Sequence, residues 1–281
     1  MCYLKISNEI KKQVAEDYKN GLSGYKIAKK YSIHHSSVYS ILKKEKIKTR
    51  DNSINSRKYI HNENYFETID TEHKAYWLGF MYADGYITNT DSFGISLSVK
   101  DKNHIEKFKA DIEATNPIKT YKTTIGYAIG NQYVRLLMKS EKTVQDLINH
   151  GCVKHKTNIL TAPKNIPEHL IHHFIRGYFD GDGCLAYTAT TDTYHVKILG
   201  TDELLDYIKS YIESNNIATI NHYYKRKPGQ TVSSLEMGGN LQALDFMNHL
   251  YENATICLDR KYERYINLCN KYLVEPTGNV R

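Results

Sequence analysis

Apolar residues recur along this chain with two different periods, and the switches between them mark out its elements. From Asn8 to about Lys19 they fall at Ile10, Val14 and Tyr18, a helical spacing closed by Gly21. Ser23 is a cap for a second helix from Gly24 to about Tyr31, with Ile27 and Ala28 inward. Ser32-Ile33 makes a turn, and a third helix starting at Ser36 or His35 carries Val38, Ile41 and Leu42 to the same core. Between Glu45 and about Asn64 the periodicity lapses into Lys, Arg, Asn and Ser, a linker by composition. Farther on, alternating runs predict strands over Phe93 to Val99 and Gln132 to Met138, with a weaker one over Ile118 to Ile125. Helical patterns occupy about Asn103 to Ala114 and Ser140 to His150. The order then repeats: a strand at His195 to Leu199, a helix at Asp202 to Ser214, strands at Ala218 to Tyr224 and Val232 to Met237, and a helix at Asn240 to Leu250.

Two near-identical segments head these halves: Trp77-Leu78-Gly79-Phe80-Met81-Tyr82-Ala83-Asp84-Gly85 and Ile175-Arg176-Gly177-Tyr178-Phe179-Asp180-Gly181-Asp182-Gly183. Each reads as an apolar helix with small residues four apart, Gly79 and Ala83 or Gly177 and Gly181, which share one face and let a second backbone come close. The two helices are therefore expected to pack on each other. Gly85 and Gly183 suit the left-handed turn that ends a helix, which puts Asp84 and Asp182 at C-terminal ends. Carbonyl dipoles and a second carboxylate both disfavour negative charge there, so a cation is expected between them. Asp84 and Asp182 lie 98 residues apart, one small domain of chain, as an internal duplication requires.

Composition adds less. At 281 residues the chain can hold more than one domain. Its 38 basic against 31 acidic residues, formally +7, lean toward a polyanionic partner. Five scattered cysteines with no CxxC pair suggest reduced thiols, neither a disulfide framework nor a zinc site. Without a long apolar run or signal sequence the chain is expected to be cytoplasmic, nucleoid-associated in a bacterial or phage setting, with no membrane partner.

The paired segments resemble the signature motifs of the LAGLIDADG homing endonucleases, over roughly residues 65 to 270. The sixth motif position, usually Asp, is Asp180 in the second copy and Tyr82 in the first. The resemblance implies an α+β fold: a pseudo-symmetric, duplicated αββαββα core, preceded here by a small three-helix helix-turn-helix domain. It divides the chain into a helix-turn-helix domain (1–50), a linker (51–64), two halves (65–167 and 168–273) and a tail (274–281). It implies a monomeric, site-specific double-strand DNA endonuclease acting across the minor groove of a long asymmetric target and leaving a short 3′ overhang. Asp84 and Asp182 would be catalytic and would bind Mg²⁺ or Mn²⁺. Hard ions that keep several waters need few carboxylates, so the pair is chemically sufficient. Lys156 and Lys261 match the family's basic catalytic positions, with Lys154 and Arg260 as neighbouring alternatives. The rival reading is a cleavage-deficient DNA-binding regulator on the same fold, or more remotely an RNA maturase. A pure binder has no reason to keep both acids.

The first 50 residues resemble resolvase-like and transposase-like helix-turn-helix domains through Ile27-Ala28-Lys29-Lys30-Tyr31-Ser32-Ile33 and Ser37-Val38-Tyr39. In such domains the second helix of the pair enters the major groove. DNA contacts are thus expected from His35, Ser37, Ser40, Lys43 and Lys44. The strands offer further donors at Lys119, Tyr121, Thr123, Gln132, Arg135, Lys197, Tyr223, Lys225, Arg226 and Lys227.

Overall fold

The computed structural model describes residues 6–49, 58–124, 129–154, 156, 159–225 and 232–280. Two units separate between Lys58 and Tyr59. The smaller contains α1 (Asn8–Lys19), α2 (Gly24–Lys30) and α3 (His35–Lys44). Each helix begins where a side chain accepts a free backbone N–H: Ser7 from Ile10 at 3.2 Å, Ser23 from Lys26 at 3.3 Å, and His34 from Ser36 at 3.3 Å. Val14, Tyr18, Ile27, Val38, Ile41 and Leu42 form their shared core. Asp17 of α1 accepts from Lys30 Nζ (2.7 Å) and Tyr31 Oη (2.9 Å), tying the first helix to the second.

The larger unit runs α4 (Glu72–Ala83), β1 (Gly85–Ile87), β2 (Ser92–Ser98), α5 (Lys102–Asp111), β3 (Lys119–Lys122), β4 (Gln132–Lys139) and α6 (Glu141–Asn149). The same order returns as α7 (Ile171–Asp182), β5 (Gly183–Thr188), β6 (Thr193–Gly200), α8 (Asp202–Ser214), β7 (His222–Tyr224), β8 (Ser233–Gly238) and α9 (Asn240–Tyr251), followed by α10 (Asp259–Tyr272). Both sheets are four-stranded, with orders β1-β2-β4-β3 and β5-β6-β8-β7, and every pairing is antiparallel. Matching strand order in both halves is what a duplicated αββαββα chain produces. One face of each sheet is apolar and buried: Phe93, Ile95, Leu97, Val134, Leu136 and Met138 in the first, Leu185, Val196, Ile198, Leu235 and Met237 in the second. The opposite parity is mainly polar, with Leu137 and Leu199 as exposed exceptions, as a sheet covered on one side allows.

The structure adds β1, β5 and α10 to the elements read from the sequence and differs from that reading in three details. Gly85 and Gly183 do not make left-handed turns. Gly183 is extended (φ −96°, ψ 167°), and both glycines open strands directly against the preceding helix. Their need for glycine is steric, since a Cβ at Gly85 would lie 2.6 Å from Met81 Cα and one at Gly183 would enter the Phe179 ring. Gln132 and Tyr223 also sit on the wrong parity for a face shared with Arg135 and Lys197. Gln132 pairs Lys122 rather than Lys119, and Tyr223 pairs the buried Leu235 and donates to Asp202 O at 3.1 Å. Finally, β7 is only three residues long, without Ala218 to Asn221.

Candidate active site

The centre of the larger unit is the crossing of α4 and α7, where the backbones touch. A Cβ at Gly79 would run into the Phe174 carbonyl and lie 2.8 Å from Tyr178 N. One at Gly177 would run into the Tyr76 carbonyl and lie 3.0 Å from Phe80 N. A turn later, Gly181 meets Ala83, and its Cβ would stand 3.3 Å from Asp84 Oδ2. The small-residue spacing therefore brings the two C-terminal ends together, and with them the two carboxylates.

Asp84 is the residue after α4 and Asp182 the last of α7; both are half-buried. Burial, and then the Asp182 charge, push the Asp84 carboxyl up to about 6. Burial likewise raises Asp182, against the opposing pull of Lys156 and Lys261. The two lysines occupy matching positions. Lys156 Nζ donates to Met81 O (2.8 Å), Tyr82 O (2.5 Å) and Ala83 O, the unsatisfied carbonyls at the end of α4. Lys261 Nζ, only 4% exposed as a residue, donates to Phe179 O and to Gly183 O (2.6 Å) at the end of α7. Burial lowers both ammonium groups, Lys261 to about 8. Each helix end thus carries one ammonium group on its terminal carbonyls. Their neighbours are engaged elsewhere: Lys154 lies 3.9 Å from Asp91, and Arg260 donates to Asp101 at 3.2 Å.

A polar network runs through the same crossing. Asp180 is fully buried and its Oδ2 accepts from Tyr76 Oη (2.7 Å) and from Leu258 N (2.7 Å). Tyr76 Oη also meets His104 Nε2 at 3.0 Å, where burial holds the imidazole down to about 3 and hence neutral. Arg176, fully buried, donates to Glu72 (2.6 Å), Leu250 O (2.8 Å) and Ile256 O (3.1 Å). Glu72 in turn accepts from Thr255 N at 2.7 Å. The sequence reading missed Glu72, Tyr76 and Arg176. The signal was an arginine inside the apolar run Phe174-Ile175-Arg176-Gly177-Tyr178-Phe179, because a buried guanidinium demands a buried partner.

The polar sheet faces are unequal. On the first, Arg135 donates from Nε to Ser96 Oγ (3.1 Å), and its guanidinium lies 5.2 to 5.5 Å from the ring centres of Tyr86, Tyr121 and Tyr133. Lys119 is its cross-strand neighbour. On the second, Lys197 is paired with Glu236 at 2.8 Å, and Lys225 reaches Asp206 of α8 at 3.2 Å. Arg226 and Lys227 lie outside the described residues. In the smaller unit His35, Ser40, Lys43 and Lys44 are exposed along α3 and Ser37 is half-buried, while Ser40 Oγ donates to Ser36 O at 3.0 Å.

No helix among the described residues is long and apolar enough to cross a membrane. No protein-family model matches the sequence, and no curated protein matches it. Among solved structures, the chain is similar to the I-LtrWI LAGLIDADG homing endonuclease bound to target DNA, at 13% identity and a TM-score of 0.47 over 75% of this chain and 92% of that one. It is similar to the I-SmaMI LAGLIDADG homing endonuclease bound to cleaved DNA, at 13% identity and a TM-score of 0.46 over 73% and 90%. It is also similar to the N-terminal LAGLIDADG domain of WhiA, at 14% identity and a TM-score of 0.44 over 73% and 93%.

Proposed function

We propose that the chain is a metal-dependent, site-specific DNA endonuclease. The observation that carries this reading is the acid pair: two carboxylates brought together at the ends of two crossing helices, each helix end held by its own lysine. Nothing about folding calls for it. A helix C-terminus is the wrong place for a carboxylate, and two of them raise each other's cost. Two carboxylates would offer oxygen donors to a hard divalent ion that keeps most of its waters; the described residues hold no group of three or more His, Cys, Asp or Glu side chains that could bind a metal. Bound Mg²⁺ or Mn²⁺ would supply Lewis-acid stabilisation of charge on a phosphodiester. Asp84 and Asp182 would hold the ion, and Lys156 and Lys261 would keep the helix ends rigid and add positive charge beside the scissile phosphates. Lys119, Tyr121 and Arg135 in one half and Lys197 in the other would contact the duplex. Lys225 would add a phosphate contact.

The test is cleavage of a randomised duplex library. Specific double-strand scission in Mg²⁺ that stops on chelation is the expected result; DNA binding with no scission in Mg²⁺ or Mn²⁺ would instead identify a regulator.

The three-helix unit is proposed as a helix-turn-helix whose α3 adds base and phosphate contacts from His35, Ser37, Ser40, Lys43 and Lys44. A chain beginning at Tyr59 should bind more weakly, with a footprint shortened at one end. For every phosphate that the shortened chain no longer neutralises, the slope of log affinity against log salt should become shallower by about 0.9. Cleavage should persist when enzyme is in excess. An unchanged footprint and salt slope with cleavage abolished would assign the unit to catalysis or folding instead.

A further inference from the structure

The motif helices are related by the 98-residue spacing, and one pair of equivalent positions breaks the symmetry in a way that bears on the two lysines. Asp180 corresponds to Tyr82, and Tyr76, which donates to Asp180, corresponds to Phe174. On one side of the helix crossing the contact is therefore a phenol on a buried carboxylate, at 2.7 Å. On the other side it is two aromatic rings edge to face, with centres 5.1 Å apart. The consequence reaches α10. Leu258 N donates to Asp180, and Leu258 O then accepts from Lys261 N (2.9 Å) and Tyr262 N (3.1 Å), the first bonds of α10. Asp180 thus fixes the turn from which Lys261 extends to the end of α7. In the first half Tyr82 does the equivalent anchoring with a neutral group, its hydroxyl donating to His150 O at 2.9 Å. Lys156 has no buried carboxylate behind it in the motif.

Building on the endonuclease reading, in which each acid serves one strand of the duplex, we infer that Asp180 is a positioning residue for Lys261, and that the ends of α4 and α7 are consequently inequivalent. Weakening the bond from Leu258 N while keeping the side chain's shape should slow scission of the strand served at the end of α7 and spare the other. Asparagine preserves the shape but offers Tyr76 and Leu258 a neutral amide oxygen, a weaker acceptor than a carboxylate oxygen. Tyr82→Phe, which removes only the hydroxyl bond to His150, should bias the opposite strand.

Two measurements test this. Amide hydrogen exchange on the metal-free protein needs no catalysis: Asp180→Asn should speed exchange at residues 258–262 several-fold and leave residues 150–154 unchanged. Equal acceleration at both segments, or none, would overturn the positioning role. The second measurement uses duplex labelled on each strand. Asp180→Asn should accumulate DNA nicked on one defined strand, with a tenfold or greater difference between strand rates, and Tyr82→Phe should nick the other. An equal slowing on both strands would overturn the inference while leaving the endonuclease reading intact. If the wild type never cuts, that reading fails, and the exchange result alone decides the role of Asp180.

Discussion

Replacing Gly177 with leucine is expected to leave the larger unit unfolded or barely folded at room temperature. In an exposed helix, Gly→Ala gains about 1 kcal/mol. At Gly177 the sign reverses, because the added carbon meets the Tyr76 carbonyl and Phe80 N of the opposing helix, atoms that cannot rotate away. Gly177→Ala alone should cost about 3 kcal/mol, the upper part of the range for overpacking. The larger leucine forces α4 and α7 apart along the interface that organises both halves. Domains hold only about 5–15 kcal/mol in total, so that separation consumes most of it. Gly79→Leu should behave alike, since Gly79 meets Phe174 and Tyr178 in the same way. Gly238→Ala is the control: its Cβ would have ordinary contact with Asn221, at 3.6 Å, and it should melt near wild type. A Gly177→Leu melt superimposing on wild type would mean that the helices do not approach this closely.

That prediction was available from the sequence, and the reason is physical. Close helix packing leaves a signature that periodicity shows directly, small residues four apart in both copies. The long strands were legible for a similar reason: β4 alternates in burial, and β2 carries Phe93, Ile95 and Leu97 at alternate positions although Ser92 and Gly94 beside them are buried as well. What stayed hidden obeys different rules. β1 and β5 begin at a glycine that reads as a stop signal, and β1 has only three residues in which to alternate. The charged helix α10 looks like surface until Lys261, Tyr265, Leu268 and Cys269 are seen to share one buried stripe. Asp180 was visible as a motif letter, but its bonds to Tyr76 and Leu258 depend on chain far away in sequence. Both catalytic candidates and the lysines beside them were named from the resemblance. The capping of helix-end carbonyls by those lysines is a contact no local pattern encodes.

Asp84→Asn should make the protein more stable and, on the endonuclease reading, inactive. The wild-type carboxyl is raised from 3.8 to about 6 by burial and by Asp182, so ionising it at neutral pH works against the fold. A shift of that size corresponds to about 3 kcal/mol. The sign follows from proton binding: between about pH 4 and pH 6 the folded state holds a proton that the unfolded chain has released, so stability falls as pH rises through this window. Asparagine cannot ionise. Its melting temperature should match wild type near pH 4 and exceed it by several degrees above pH 6, where the difference levels off. Mg²⁺ should narrow the gap, because an ion held between Asp84 and Asp182 stabilises the wild type by linkage and has less to bind in the variant. In Ca²⁺ the variant should bind target DNA about as well as wild type, because the contacts are made elsewhere, and in Mg²⁺ it should fail to cut. Asp182→Asn should follow the same pattern. Thermal melts across this pH range, with and without Mg²⁺, decide the electrostatic part without any target DNA. An Asp84→Asn protein less stable than wild type at neutral pH would show that the carboxylate is held by favourable partners, which removes the argument that the pair is kept for its chemistry.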